Sequence, residues 1–421
     1  MGRFLAALVA LVVLLAAIVI LAPNLIPAKT YKPQIEAAAT KALGRQVSIG
    51  DDLNFKFLPE PSFAVRDLVI ANEEGFEGDY LAKVERADIG VRLKPLFKKR
   101  VEISRFVLTR PDIVLQKSKT GAINWNLASS GVEGGAEDQG EGEAGDVNLG
   151  DVRFIDGRAT YTDAKENKTY SIDAFNATAK LSSLSEPLEL AGVMNFQGAP
   201  SKIDLVLTNV SDIIAKRDSN LKIDATIGEA AIGADLTLAG GDVAGFKGPV
   251  SLNAPDLPAL ASLFGVKLED APGFDTLAIN GKADGNAQSI ALDAASIHFD
   301  AIEADGDIKL DWSGARPKAT GSLTTDSLDM RPYMPPPTTS AEGFPAWSTA
   351  KIDFASLRNI DADLDINAGR IYLNEIEAGE TRMNLKVAGG KMTASIPQLG
   401  FYGGGGSGTL VVDATRATPS I

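Results

Sequence analysis

From Val47 onward the chain keeps returning to one pattern, apolar and polar residues in alternation, and this period of two limits what it can fold into. It is plain in Leu53-Asn54-Phe55-Lys56-Phe57, Phe63-Ala64-Val65-Arg66, Ile203-Asp204-Leu205-Val206-Leu207 and Leu221-Lys222-Ile223-Asp224-Ala225. It returns in Ala234-Asp235-Leu236-Thr237-Leu238 and in Asp307-Ile308-Lys309-Leu310-Asp311-Trp312. Successive side chains of a strand point to opposite faces, so each run puts its apolar residues on one face and its polar residues on the other. Turn residues separate the runs roughly every 8–15 residues, the spacing of antiparallel meanders rather than of βαβ units. The expected fold is mainly β, with elongated, antiparallel, curved sheets. A long apolar face must fold back on itself as a sandwich or stay available to a ligand as a groove, and periodicity does not choose between the two.

Helical signals are few. Thr30 to Gly44 reads as a helix, with Thr30 as cap, Pro33 in the first turn, Ile35, Ala38, Ala42 and Leu43 along one side, and Gly44 as stop. Short helical interruptions are expected at Asp256–Phe264 and around Leu328–Tyr333.

Upstream of these lies a run of different character. A single charge at Arg3 precedes 19 uninterrupted apolar residues, Phe4 to Ala22, which include Leu5, Leu8, Leu11, Leu14, Leu15, Ile18, Ile20 and Leu21. At 1.5 Å per residue such a helix is roughly 28 Å long, about the hydrocarbon thickness of a bilayer. A cleaved signal peptide has a shorter apolar stretch, about 7–15 residues, and ends in a small-x-small site that Ile26-Pro27-Ala28 matches poorly. The expectation is an uncleaved transmembrane anchor over residues 1–29. Arg3 lies on one side and Lys29, Lys32, Lys41 and Arg45 on the other, so the charge count leaves the orientation open.

Forty-one basic and 55 acidic side chains give a net charge of -14, the wrong sign for neutralising a phosphate backbone, so nucleic acid is not expected as a partner. The absence of cysteine excludes disulfides, thiolate metal sites and cysteine nucleophiles. The one histidine, His298, falls in the alternating stretch Ser296-Ile297-His298-Phe299-Asp300 and reads as the polar face of a strand.

Two breaks divide the β pattern. Residues 131–147 open with six glycines and six acidic residues in sixteen positions and read as a disordered linker; residues 331–347 begin Arg331-Pro332-Tyr333-Met334-Pro335-Pro336-Pro337 and read as a stiff connector. The expected segments are a helix-plus-β region at 30–130, a central β region at 148–330 and a carboxyl-terminal β region at 348–421.

Several short motifs resemble sites of chemistry. Gly140 to Gly145 satisfies G-x-G-x-x-G, but it sits in the acidic linker with neither strand before it nor helix after it. Asp361-Ala362-Asp363-Leu364-Asp365 opens like a calcium loop, yet Ile366 replaces the required glycine and Tyr372 the required glutamate, so a strand's polar face is the expectation. The glycine run Gly403 to Gly406 reads as a bend or bulge reversing into Thr409-Leu410-Val411-Val412. Against the acidic background, Arg92, Lys94, Lys98, Lys99, Arg100 and Arg105 form a basic stretch that either meets anionic headgroups or is a solvated turn. No carboxylate pair is singled out, and no enzymatic activity, metal or cofactor is expected.

Taken in order, several phrases resemble the AsmA family of bacterial envelope proteins. They are Gly44-Arg45-Gln46-Val47 after the anchor and helix, Ala71-Asn72-Glu73-Glu74-Gly75-Phe76, Val91-Arg92-Leu93-Lys94-Pro95-Leu96, Val101-Glu102-Ile103 leading to Arg110-Pro111-Asp112-Ile113, and Gly121-Ala122-Ile123-Asn124-Trp125. Val152 to Ala159, Ser327 to Tyr333 and Leu399 to Gly408 extend the likeness along nearly the whole chain. The resemblance implies an inner-membrane-anchored protein with its bulk in the periplasm, concerned with outer-membrane biogenesis and lipid homeostasis. It further implies a likeness to bridge-like lipid transfer proteins, whose curved sheets hold acyl chains in an apolar groove, and it brings no catalytic residues. Phospholipid is then the expected partner, with envelope proteins as possible others; a periplasmic scaffold binding proteins or glycans is the alternative. Family members usually run well past the glycine-rich turn, so the resemblance also implies a chain truncated at its carboxyl end.

Overall fold

Lys32–Leu43 forms helix α1, and its burial follows the 3.6-residue period: Ile35, Ala39 and Leu43 are each 1 % exposed. The computed structural model describes residues 32–56, 61–92, 103–126, 149–241, 245–268, 273–333, 355–374, 376–416 and 419–420. The apolar run Phe4–Ala22, the linker 131–147 and residues 334–347 of the proline-rich connector lie outside them. Among the described residues no helix is long and apolar enough to cross a membrane.

Strands dominate two units, Met1–Gly228 and Glu229–Ile421. The first contains β1 (Val47–Ser48), β2 (Leu53–Lys56), β3 (Ser62–Ala71), β4 (Tyr80–Val91) and β5 (Ile103–Lys117). It continues with β6 (Leu149–Asp163), β7 (Lys168–Leu181), β8 (Leu188–Phe196), β9 (Ala199–Leu207), helix α2 (Val210–Ile214) and β10 (Ser219–Ile227). β1 and β2 both pair with β3, and from there each strand pairs with the next as far as β10. α1 lies over the β1–β4 part, where Phe63, Val65, Leu81, Ala87 and Ile89 complete a buried core.

The second unit holds β11 (Ala230–Ala239), β12 (Gly245–Ala254), helix α3 (Leu257–Leu263), β13 (Leu277–Asn286), β14 (Ser289–Phe299) and β15 (Ile302–Asp311). After them come β16 (Lys318–Asp329), β17 (Asp361–Leu373), β18 (Ile376–Ala378), β19 (Thr381–Ala388), β20 (Lys391–Phe401) and β21 (Gly404–Asp413). Neighbours in sequence pair here as well, with β19 beside β17 over most of its length. α3 is the expected helix at Asp256–Phe264, with the Asp256 carboxylate accepting from the Ala259 backbone N–H at 2.8 Å.

Three features correct the sequence reading. The sheets are not wholly antiparallel: β5 runs parallel to β6 and β16 parallel to β17. The segments joining these parallel neighbours contain the acidic linker and the proline-rich connector, and a parallel pair needs such a long connection because the chain must return to the same end. The helical interruption expected around Leu328–Tyr333 is confined to its last three residues. β16 runs to Asp329 because Leu328 and Asp329 pair with Ile371 and Tyr372 of β17, and only a 3₁₀ turn, Arg331–Tyr333, follows. Helix α2 was not foreseen.

Non-glycine residues with positive φ fall at one level across neighbouring strands: Asp67 in β3, Arg110 in β5, Asp156 in β6 and Ala174 in β7. Ladder pairs are missing at these places: across β3–β6 the register resumes unchanged beyond the gap, while between β6 and β7 and between β7 and β8 it shifts. The shifts at β6–β7 and β7–β8 are bulges, which bend a strand and raise its local twist.

Candidate functional site: an incompletely covered apolar face

Cross-strand partners share a face, so the registers convert the alternation into rows that cross the sheet. One row in the first unit runs Phe63, Ile89, Phe106, Val152, Ala179, Leu190, Leu205, Ile223. A second runs Val65, Ala87, Leu108, Phe154, Ala177, Gly192, Ile203, Ala225. Over β7–β10 a third consists of Leu181, Leu188, Leu207 and Leu221. With strands about 4.8 Å apart, eight strands carry a row for roughly 34 Å.

Coverage changes along these rows. Under α1 the side chains are buried, as with Phe63 and Ile89; across β8–β10, Leu188, Leu190, Ile203, Leu205, Leu207, Leu221 and Ile223 are only half-buried. The buried core that includes α1 ends, in sequence order, at Val152 of β6. The second unit repeats the arrangement over nine strands, in the row Phe246, Gly285, Ile290, Leu310, Ala319, Ala362, Val387, Met392, Val412. Leu310 and, in the neighbouring row, Leu410 are 43 % and 45 % exposed.

The opposite face is charged and largely self-neutralised. Arg153 meets Asp151 at 2.6 Å, Lys202 meets Asp204 at 2.6 Å, and Arg158 meets Asp173 at 2.7 Å. A hollow of about 410 Å³ at the β6–β8 bulges is lined by Phe154, Ile155, Ala177 and Val193 among others.

The end of the first sheet farther from β7's last residues holds a buried polar knot that joins three of the sequence phrases. Asn124 is fully buried; its Nδ2 donates to Asn72 Oδ1 and to the Val114 carbonyl, each at 2.9 Å, and its Oδ1 accepts from the Gln116 N–H at 2.8 Å. Arg45 pairs with Glu73 and donates to the Asn124 carbonyl at 3.4 Å. Next to Asn124, Trp125 packs edge-on against Tyr161, which stacks on Tyr170. At the same end Asp163 is held below the usual carboxylate range by its bond to Lys117 and by the Lys165 and Glu166 N–H groups. This knot secures the sheet end. Its residues are engaged with one another.

The remaining candidates separate. Of the basic stretch, Arg92 is exposed at the end of β4 and Arg105 lies in β5; Lys94, Lys98, Lys99 and Arg100 lie outside the described residues, as do Gly140–Gly145. His298 sits on β14 with its Nδ1 3.5 Å from a Glu303 carboxylate oxygen. Asp361, Asp363 and Asp365 alternate along β17: Arg316 and the Gly389 N–H hold Asp361, and Asn384 Nδ2 reaches Asp363 at 3.0 Å and Asp365 at 2.9 Å. Among the described residues no group of three or more His, Cys, Asp or Glu side chains could hold a metal. Gly403 lies in the reversal between β20 and β21, while Gly404 to Gly406 belong to β21 itself.

Near the loop preceding β13, Asp300 accepts from three backbone N–H groups, those of Phe274, Asp275 and Thr276, and from the Tyr333 hydroxyl at 2.6 Å. Burial and this bond push the Tyr333 hydroxyl well above its ordinary range. Burial opposes ionisation of Asp300, but the four donors outweigh it and its carboxyl is lowered.

A family model described as the AsmA family matches residues 1–330. No curated protein and no solved structure matches the chain.

Proposed function

We propose, for a chain that belongs to the AsmA family, that the half-covered apolar face is a lane for the acyl chains of phospholipid. The carrying observation is the set of leucine and isoleucine rows over β8–β10, which stay half-buried beyond the reach of α1. Family membership is compatible with an envelope protein of lipid-related function. On this reading Phe4–Ala22 anchors the chain in the inner membrane, the sheets stand in the periplasm, and the protein serves outer-membrane biogenesis and lipid homeostasis without catalysing a reaction. Arg92, Lys94, Lys98, Lys99 and Arg100 then meet anionic headgroups, each cation contributing on the order of 1 kcal/mol near such a surface.

The physical case is that a lane of aliphatic side chains holds a methylene chain without polar specificity, at about 0.8 kcal/mol per methylene buried. The charged opposite face offers nothing comparable. The test is photo-crosslinking in cells, with a photoreactive residue placed at Leu205 or Ile223 and, as controls, at Asp204 or Lys222 on the other face. Phospholipid adducts at Leu205 and Ile223 alone are expected. Equal labelling of both faces, or no lipid adduct at either, overturns the reading, and protein adducts in place of lipid favour a scaffold that binds envelope proteins.

A further inference from the structure

We infer that helix α2 is a membrane-dipping tip, its Ile213 and Ile214 entering the surface of the same bilayer that takes the amino-terminal apolar run. This rests on the anchoring reading above and specifies where the sheet meets the bilayer.

Three bonds fix how α1 lies along the first unit. Thr40 Oγ1 accepts from the Val47 N–H at 3.0 Å, Glu36 Oε1 from the Ile49 N–H at 2.9 Å, and Lys32 Nζ meets Asp51 at 2.8 Å. As numbering falls along the helix it rises along β1 and beyond. Val47 lies opposite Ile70, Leu53 opposite Val65 and Lys56 opposite Ser62, so the amino end of α1 is directed toward the Ser62 end of β3. The apolar run ends at Ala22, ten residues before Lys32, and ten residues span at most about 35 Å.

The registers place α2 at that same end. Ser62 pairs with Gly90, Val91 with Ile103, Ile103 with Leu149, Leu149 with Leu181, Leu181 with Leu188, Leu188 with Leu207, and Leu207 with Leu221. α2 lies between Leu207 and Ser219.

It is held firmly for so short a helix. Val210 is buried, the Asn209 side chain accepts from the Asp212 N–H, and the Ser211 N–H donates to the Leu184 carbonyl at 2.7 Å. With its base fixed, it exposes two adjacent aliphatics, Ile213 at 40 % and Ile214 at 65 %. Ala215, Lys216 and Arg217 follow, with Arg217 Nε donating to Asp212 Oδ1 at 2.7 Å. Adjacent exposed isoleucines on a fixed base suit the boundary between headgroups and acyl chains. At the opposite end the connections are polar: Lys165-Glu166-Asn167 between β6 and β7, and Gln197-Gly198 between β8 and β9.

The position also has a consequence for lipid entry. Leu181, Leu188, Leu207 and Leu221, the row nearest this end, would stand at the bilayer surface, so an acyl chain could pass from the membrane onto the apolar face without crossing water.

The chain contains no cysteine, so a single introduced one can be labelled cleanly. Ile214→Cys and, at the far end, Glu166→Cys would be made in the full chain, labelled with an environment-sensitive fluorophore and reconstituted into phosphatidylethanolamine–phosphatidylglycerol vesicles. Expected at position 214 are a blue-shifted emission and quenching by lipids carrying a spin label near the headgroup; at 166, neither. A water-like, unquenched signal at 214 in protein that resists alkaline carbonate extraction overturns the tip and leaves the anchor standing. Release by carbonate removes the anchor and the tip with it.

Discussion

Replacing Asn124 by alanine tests whether the buried polar knot is what secures the end of the first sheet. The amide is fully buried and makes three hydrogen bonds at 2.8–2.9 Å, two of them to backbone groups of β5, the Gln116 N–H and the Val114 carbonyl. Its orientation follows from its partners, since the Gln116 N–H requires an oxygen and the Val114 carbonyl requires a donor. Alanine would strand both backbone groups at about 1–3 kcal/mol each, so a loss of roughly 2–6 kcal/mol is expected. Asn124→Asp keeps the acceptor for Gln116 but turns an oxygen toward two other acceptors, and it should cost at least as much. Trp125, next in sequence and packed on Tyr161, reports locally. Urea unfolding of the detergent-solubilised full chain, followed by the fluorescence of a variant that retains Trp125 and lacks Trp312 and Trp347, should show the midpoint falling by on the order of 1 M, taking a slope of about 3 kcal/mol/M. A midpoint within about 0.2 M of the parent for both substitutions would refute the reasoning, because 0.2 M at that slope is only ~0.6 kcal/mol.

Glycines separate by crowding. A Cβ on Gly306, where φ is +159°, would stand 1.9 Å from the Ser322 carbonyl oxygen, whereas one on Gly405 meets nothing within 4 Å; thermal unfolding should show Gly306→Ala strongly destabilised and Gly405→Ala unchanged within about 0.5 kcal/mol. Asp300 has a lowered folded-state carboxyl, so the stability it adds is complete above the unfolded value near 3.9 and is lost as pH falls below that. Asp300→Asn should therefore be less stable at pH 7 and show a shallower further loss between pH 4 and 2 when thermal midpoints are compared with the parent. Replacing Leu205 and Ile223 together by serine should reduce phospholipid retained after detergent-free extraction while circular dichroism stays that of a β protein. Unchanged retention counts against the lane.

Much of the fold was readable because a strand's face is written two residues at a time. Ile203 to Leu207 and Leu221 to Ala225 are strands as read, Gly44 with its positive φ follows α1 and Asp256 caps α3, while Thr30 lies outside the described residues. Periodicity is silent on which strand lies beside which. The parallel joins at β5–β6 and β16–β17 are decided by where a long connection returns, and no residue within those strands encodes it. α2 escaped notice because five residues are too few for a 3.6-residue period to show. Its sequence signal, the Asn209 cap three residues before Asp212, is short and common. Asn124 stood out only as part of a family phrase, since nothing local in Gly121-Ala122-Ile123-Asn124 announces that Arg45, Asn72 and Gln116 converge on it.

The energetics of the apolar face bear on whether it would trap a lipid or let it move. Seven half-buried aliphatic side chains line β8–β10, from Leu188 to Ile223. Full burial of such a side chain is worth about 1.5–3 kcal/mol, so completing the burial of each adds roughly 1 kcal/mol and the set about 7 kcal/mol. Association itself costs an estimated 4–15 kcal/mol in lost freedom, which leaves little net affinity for a single lipid held by this patch alone. Weak, unspecific holding along a row that continues from strand to strand suits passage better than storage. Gly192 and Ala225 in the second row and Ala179 in the first interrupt the leucines with small side chains, which lowers the grip at intervals without breaking the apolar continuity. Filling that relief with Ala225→Leu should slow lipid exchange between donor and acceptor vesicles while raising the lipid retained. A rise in both would mean that grip, and not clearance, limits movement along the sheet.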